Sequence, residues 1–341
     1  AIRTYNLALV GFGNVGKEFV RLLITKTPTL RESYGIEWKL TGVASRSIGW
    51  IANANGLDPY ALLEGRYPDI PAWKIPRNVR EWLEAADPSV FFEATSLDRH
   101  AGQPATDHIK AALESGAHAI SANKGPIVHA YHEIRDLARA KNRKFFFEST
   151  VMDGVPVFSM ARALPAAELR GFRGILNSTT NFVLTEMEQG RALEEAVKIA
   201  QQAGFAETNP ADDLDGWDAA VKVAALVIVL MDFPIRLEQI ERTGIRGITT
   251  EQLRAARDAG KRIKLICSAE RQPEGGVRAS VLPEMIPLAD PFALFEGTTA
   301  GLRFEYDMFG ISVTEHEHQP GVLATAYGLL ADFIRAVRDP L

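Results

Sequence analysis

Apolar residues follow two rhythms along this chain. Short apolar runs alternate, through the first half, with stretches in which apolar positions recur every third or fourth residue. The runs read as buried strands and the recurrences as amphipathic helices. Leu7-Ala8-Leu9-Val10 is such a run, and Phe19, Val20, Leu22 and Leu23 behind it keep helical spacing. The same reading predicts strands over 38–44, 90–94, 118–121 and 144–148. It predicts helices over 107–115, closed by Gly116, and over 131–141. Strand and helix in alternation build a parallel sheet wound on both faces. After Pro156 the rhythm changes. Strands are expected over 169–176, 278–282 and 302–306, mixed with helices over 193–203 and 251–259. The run 223–231 is too short to span a bilayer and reads as a buried helix. A last helix, 321–337, is expected to pack back on the first half.

Between the first strand and its helix stands Gly11-Phe12-Gly13-Asn14-Val15-Gly16. In such a turn the first glycine allows the bend and the second lets the backbone approach a pyrophosphate. The third lets helix and strand pack closely. The alternative is a merely structural turn, but the strand–helix setting favours dinucleotide binding. The predicted architecture is α/β: an N-terminal Rossmann dinucleotide-binding domain over 1–150, completed by the helix 321–341, and a mixed α+β domain over 151–320.

Composition adds bounds. The chain has 341 residues, 46% of them apolar and 24% charged, enough for two domains with real cores. A net charge of −5 gives no reason to expect nucleic-acid or membrane partners. The single cysteine, Cys267, sits in an apolar run, which fits an inert core thiol and a reducing cytosol. The opening residues lack the apolar stretch of a secretory leader, so a cytoplasmic protein is expected.

Three places carry candidate chemistry. The second strand ends in Ser45-Arg46-Ser47, where an NAD site usually has an acid for the ribose hydroxyl. An arginine between two hydroxyls suits a 2′-phosphate, which favours NADP over NAD; the plainer reading of Arg46 is a solvated loop arginine. Thr95-Ser96 and Asn123-Lys124 follow strand ends, where ligands collect in such sheets, although Asn123-Lys124 also reads as an ordinary polar loop. The densest cluster is Glu207 to Lys222, in which Asp218 and Lys222 lie one turn apart at the polar start of the apolar helix. Burial there would lower the lysine pKa and suit it as a base, while the neighbouring carboxylates push the other way. The alternative is an exposed i,i+4 ion pair. His316 and His318 would share one strand face but lack a third metal ligand, so a solvated edge is the expectation.

With these pieces in view the chain resembles the homoserine dehydrogenase family over most of its length. The matching segments are the glycine turn, Ser121-Ala122-Asn123-Lys124, Glu148-Ser149-Thr150-Val151 and Gly174-Ile175-Leu176-Asn177-Ser178-Thr179-Thr180-Asn181-Phe182. Above all there is Asp213-Leu214-Asp215-Gly216-Trp217-Asp218-Ala219-Ala220-Val221-Lys222. The resemblance implies NAD(P)-linked interconversion of L-homoserine and L-aspartate 4-semialdehyde, a step of amino-acid biosynthesis towards threonine and methionine. It implies that Lys222 relays the proton of the reacting hydroxyl, with Lys124 as second catalytic lysine and Asp218 holding Lys222. Glu207, Asp213 and Thr179 would meet the small-molecule substrate. Gly11, Phe12, Gly13, Asn14, Val15, Gly16, Ser45, Arg46, Thr95, Ser96, Asn123 and Gly321 would meet the cofactor. A sodium ion is implied at Glu148 and the main-chain carbonyls of Val151, Asp153 and Val155, and a homodimer is implied as well. With the chain ending at Leu341, the regulatory domain common in relatives is not expected.

Three differences set this chain apart. The family's glycine-rich loop near the C-terminus keeps only Gly321, Thr325 and Ala326. Ala300-Gly301 replaces a usual Asn-Ala pair, and Met152-Asp153 stands where small residues are common. Altered cofactor contacts or substrate access are expected from the loop. The competing readings are a relative that oxidises another small hydroxy or amino acid, and a non-catalytic nucleotide sensor.

Overall fold

In the computed structural model the first apolar run lies within a longer strand, β1 (Arg3–Val10), that enters the glycine turn and α1 (Asn14–Tyr34). Then follow β2 (Ile36–Ser45), β3 (Gly49–Ala52), α2 (Pro59–Leu63), α3 (Val79–Ala86), β4 (Val90–Glu93), α4 (Ala105–Glu114), β5 (His118–Ser121), α5 (Gly125–Ala140) and β6 (Phe145–Phe146). After Pro156 come α6 (Val157–Arg162), β7 (Leu169–Ile175), α7 (Ser178–Glu188), α8 (Leu193–Gln202), α9 (Ala211–Leu214) and α10 (Trp217–Leu230). The chain continues through β8 (Glu241–Arg242), α11 (Thr250–Asp258), β9 (Lys261–Arg271), β10 (Val277–Pro287), β11 (Ala300–Tyr306), β12 (Gly310–Glu315) and α12 (Leu323–Arg338). The structure describes residues 2–316, 318 and 321–339. They fall into two compact units, one formed by residues up to Pro156 with those from Val322, the other by Val157–Gly321.

In the first unit the strand order is β3-β2-β1-β4-β5-β6, parallel throughout except for β3, which runs antiparallel to β2. The order turns back at β1 and β4, and the crevice at their C-terminal ends is where an open α/β sheet binds ligands. Leu7, Leu9, Phe19, Leu23, Val90 and Phe92 build the core. α12 belongs to it: Leu329 and Phe333 are fully buried there, Phe333 meeting Tyr5 and Phe92 edge-on at 6.0 and 6.1 Å. Lys144 secures the far end of α12, its ammonium donating to the carbonyls of Arg335 (3.3 Å), Ala336 (3.0 Å) and Asp339. A cation on orphan C-terminal carbonyls also complements the helix dipole.

Two predicted elements differ from the structure. α5 begins at Gly125, not at 131, because a proline at the first turn gives up only an N–H that has no helical acceptor. A break at Ala130 (φ −146°) separates that turn from the longer half. The strand expected over 144–148 is two residues long. Its ladder ends because the Glu148 N–H donates to the Asp332 carboxylate at 2.8 Å and residues Glu148–Thr150 coil into a 3-10 turn.

His118 gives this unit a pH dependence. Its Nδ1 accepts the Lys144 N–H at 3.0 Å, so the ring serves in its neutral form. Burial, with Arg143 and Lys144 nearby, lowers its pKa from 6.5 to about 4. Between those values the unfolded chain binds a proton that the folded chain refuses, so stability falls as pH drops through the window. His118→Asn is expected to flatten the decline of Tm between pH 6.5 and 4. An unchanged slope would assign it to another group.

The second unit is a sheet in the order β12-β11-β7-β9-β10-β8, antiparallel except for the short β8–β10 pair. α10 packs on β9 and β10 with its Ala219–Val221 and Val223–Val227 stretches fully or almost fully buried, as the apolar run 223–231 demands. Cys267 on β9 is buried, and desolvation pushes its thiol up to about 12, so it is inert. β12 ends at Glu315, so His316 and His318 are not on one strand face, and Glu317 lies outside the described residues. Among the described residues no group of His, Cys, Asp and Glu is arranged to hold a metal ion. Among them too, no helix is long and apolar enough to cross a membrane.

Candidate active site

The glycine turn in the first unit divides its labour by position. Gly11 has φ +96°, and a Cβ there would run into the Ala94 carbonyl group; a Cβ on Gly16 would strike the Gly11 carbonyl. Gly13 faces open space, with nothing within 4 Å of where a Cβ would stand. Two of the glycines are therefore demanded by packing, and the third leaves room for something to come close. No side chain caps α1 and no acid stands in its first turn, where Asn14, Val15 and Gly16 begin the helix. Such an end suits an anion. The Phe12 side chain is buried in the core, so only its main chain remains for a ligand.

A cleft of about 520 Å³ opens over the ends of β1, β2 and β4, lined among others by Ser45, Arg46, Trp50, Thr95, Ser96 and His108. Ser45 Oγ lies 3.0 Å from Ser47 Oγ and accepts the Ile48 N–H at 3.3 Å, which shapes the loop around an exposed Arg46. Asn123 spans the strand ends. Its Nδ2 donates to Thr95 O (3.2 Å), Thr95 Oγ1 (3.3 Å) and Ser96 O (3.2 Å), while its Oδ1 accepts the Gly125 N–H at 2.9 Å. With both ends of the amide used this way, Asn123 holds the Thr95-Ser96 segment in place. Lys124 follows as the half-buried cap residue of α5.

The turn after β6 holds Glu148, Val151, Asp153 and Val155. Glu148 is 1% exposed, its carboxylate facing Arg335 Nη1 at 3.3 Å, and that guanidinium also meets Asp332 at 3.2 Å. Asp153 sits at φ +48° and accepts the Thr325 hydroxyl at 2.6 Å, while Ser149 Oγ donates to the Thr325 carbonyl at 2.7 Å. Thr325, retained from the family's altered loop, thus ties α12 to this turn. Gly321 is exposed with φ +136° and open space beside it.

The second unit assembles the lysine cluster. Gly216 caps α10, and one turn in, Lys222 Nζ meets Asp218 Oδ2 at 2.8 Å and donates to the Leu176 carbonyl at 3.0 Å. Their side chains are 17% and 20% exposed, neither sealed nor loose in water. Asn177 organises the rest. As N-cap of α7 it accepts the Thr180 N–H (2.8 Å) and hydroxyl (2.9 Å) with Oδ1. Its Nδ2 therefore points at two carboxylates, Asp213 at 2.7 Å and Asp218 at 3.0 Å. Burial and the adjacent Asp218 hold the Asp213 carboxyl above its usual range, against the pull of the Asn177 amide. The arrangement is a lysine fixed by one carboxylate, with a second carboxylate tuned beside it through a shared amide. Such a set can orient a small polar substrate and move a proton.

Glu207 lies exposed on the loop after α8, which Gln201 Nε2 holds by the carbonyls of Glu207 and Thr208. Thr179 is 7% exposed and its hydroxyl donates to the Phe205 carbonyl at 2.8 Å. It holds the base of the Glu207 loop. Sequence reasoning named Asn177 only within a matching segment and gave it no role, although its place between a strand end and a Ser-Thr-Thr start was a capping signal. It overlooked Glu93 and His108. An acid closing the apolar strand 90–93 was the available signal, since burial of that strand leaves the acid inside with it.

Comparisons with known proteins point to one family across both halves of the chain. Residues 156–334 match the model of the family "Homoserine dehydrogenase", and residues 11–148 match "Homoserine dehydrogenase, NAD binding domain". The chain is 34% identical to an NAD(+)-dependent homoserine dehydrogenase of Pseudomonas canavaninivorans, over 97% of this chain and 95% of that one. It is similar in structure to the homoserine dehydrogenase of Thiobacillus denitrificans (TM-score 0.82, 28% identity, 99% of this chain and 74% of that one). It is similar also to a hyperthermophilic archaeal homoserine dehydrogenase mutant in complex with NADPH (TM-score 0.80, 25% identity, 99% of each chain).

Proposed function

We infer the reaction from a plain premise: this chain belongs to the homoserine dehydrogenase family, NAD(P)-dependent oxidoreductases acting on a CH–OH group. Its reaction is the interconversion of L-homoserine and L-aspartate 4-semialdehyde, a step of amino-acid biosynthesis. The observation that carries this reading is the Lys222–Asp218–Asn177–Asp213 set. A non-catalytic sensor needs a cleft for the nucleotide but no such set.

The roles follow from the contacts. A bound nicotinamide ring supplies the hydride acceptor or donor. As the homoserine C–H hydride leaves, the hydroxyl proton must leave too, and Lys222, entering the step as the neutral amine, takes it and becomes the ammonium. Asp218 and the Leu176 carbonyl keep the ammonium pointed away from the apolar body of α10. Lys124 is the second catalytic lysine of this reading. Glu207 is assigned to the substrate amino group and Asp213 to holding the substrate. The two units divide the work, the first binding the dinucleotide and the second the amino acid. Oxidation of reduced cofactor by aspartate 4-semialdehyde, with homoserine as the amino-acid product, tests the assignment. Oxidation by a different aldehyde alone would move the activity to another small hydroxy or amino acid.

For the cofactor we propose NADP in preference to NAD. β2 ends in Ser45 without a ribose-binding acid, and the exposed Arg46 has no ion-pair partner among the described residues. Arg46→Asp is expected to weaken NADP binding by about 1.5–3 kcal/mol, roughly ten- to a hundredfold, and NAD binding far less. Equal losses for both, in cofactor titrations, would show that Arg46 does not read the 2′-phosphate.

A sodium ion at the turn after β6 fits only in part. The Glu148 side chain is engaged by Arg335, which leaves main-chain oxygens of Glu148, Val151, Asp153 and Val155 as the ligands in this proposal. Oxygen ligands suit a hard cation. A homodimer through the second unit is supported by its exposed Met285, Leu288, Leu294 and Met308, each more than half exposed. A cytoplasmic setting is supported by a fold built without disulfides around the buried Cys267.

A further inference from the structure

We propose that Glu93 and His108, which no part of the reaction above uses, position the phosphate cradle of the cofactor. The inference rests on the dinucleotide reading of the cleft. Glu93 ends β4 at the point where the strand order reverses, and it is 0% exposed. Its Oε1 accepts the Thr95 N–H at 2.8 Å and the Thr95 hydroxyl, and its Oε2 faces His108 Nδ1 at 2.9 Å. His108 comes from the first turn of α4, is 8% exposed, and meets the Trp50 ring edge-on at 5.8 Å.

The Ala94–Thr95 peptide held in this way is the surface on which the glycine turn rests. A Cβ on Gly11 would strike Ala94 C and O and approach Thr95 N to 2.7 Å, so the two backbones are in direct contact. Asn123 grips the same segment from the other side. A shift of Thr95 is therefore passed to Gly11, and from there to the turn that receives the pyrophosphate. The charge has a second consequence. A buried carboxylate next to a dianion site opposes binding unless a partner compensates it, and His108 is the partner in contact. Glu93 and His108 act through the peptide and the local charge, and neither is placed in contact with the reacting atoms.

The test compares the wild-type protein, His108→Gln and the double variant Glu93→Gln/His108→Gln. Binding of reduced cofactor is read by titrating tryptophan fluorescence, and kcat and KM are measured with homoserine. His108→Gln is expected to raise the cofactor Kd at least tenfold, leaving kcat at saturating cofactor and the homoserine KM within twofold. The double variant keeps a side-chain acceptor for Thr95 and removes the buried charge, so its Kd is expected to return to within about threefold of wild type. A purely structural role would instead lower Tm and disturb both substrates together, with no rescue. Tight wild-type binding with a Kd unchanged in His108→Gln, or no recovery in the double variant, overturns the inference alone. Should His108→Gln not fold, the double variant decides: a cofactor Kd more than tenfold above wild type in a folded double variant overturns it. A wild-type protein that binds neither NADP nor NAD overturns the dinucleotide reading and this inference with it.

Discussion

Lys222→Ala is expected to lower kcat by about 10²- to 10⁴-fold while cofactor affinity stays at the wild-type value. The reason is its position. Lys222 stands one turn inside a helix whose body is buried apolar surface, and it contacts Asp218 and the Leu176 carbonyl, both in the second unit. Truncation removes the proton carrier and leaves the glycine turn untouched. Lys222→Arg sharpens the test, because a guanidinium keeps a positive charge against Asp218 but does not release its proton in this pH range. Both variants are therefore expected to fail, and by similar factors. Steady-state rates at saturating cofactor, beside a cofactor titration, check this. Turnover within tenfold of wild type in either variant would remove Lys222 from the chemistry.

The second large effect separates glycines that differ by two or three positions. Gly13→Val is expected to fold normally and to lose cofactor affinity by about 1.5–3 kcal/mol, the worth of a hydrogen bond to a charged group, or roughly ten- to a hundredfold. The side chain enters open space where the backbone would approach a phosphate. Gly11→Ala and Gly16→Ala are expected to fail earlier, at folding, because each new Cβ collides with main-chain atoms that cannot swing aside. Circular dichroism melts and cofactor titrations on the three proteins distinguish the cases. A well-folded Gly11→Ala with normal affinity would contradict the close packing of the turn on Ala94.

Much of this could be read from residue order. The glycine turn lay between an apolar run and a helical recurrence, and those are the two features that local sequence records best. Arg46 at a strand end and Lys222 at the polar edge of an apolar helix were visible for the same reason: each is a charged residue at a boundary between rhythms. What stayed hidden depends on partners distant in sequence. The strand expected over 144–148 is cut short by Asp332, far along the chain. The Thr179 hydroxyl found its acceptor at Phe205, and Asn177 joined Asp213 and Asp218 only once the start of α7 met α9 and the first turn of α10. Glu93 makes the same point. A sequence shows that the acid exists, but the histidine that faces it comes from the next helix.

The most direct test of the assigned reaction mixes the purified protein with L-homoserine and NADP, and separately NAD, at alkaline pH and follows the absorbance of reduced cofactor. Homoserine-dependent reduction is expected, with aspartate 4-semialdehyde formed in step and NADP the better acceptor. Cofactor that binds but is never reduced, whether by homoserine or by other small hydroxy acids, would contradict the assignment.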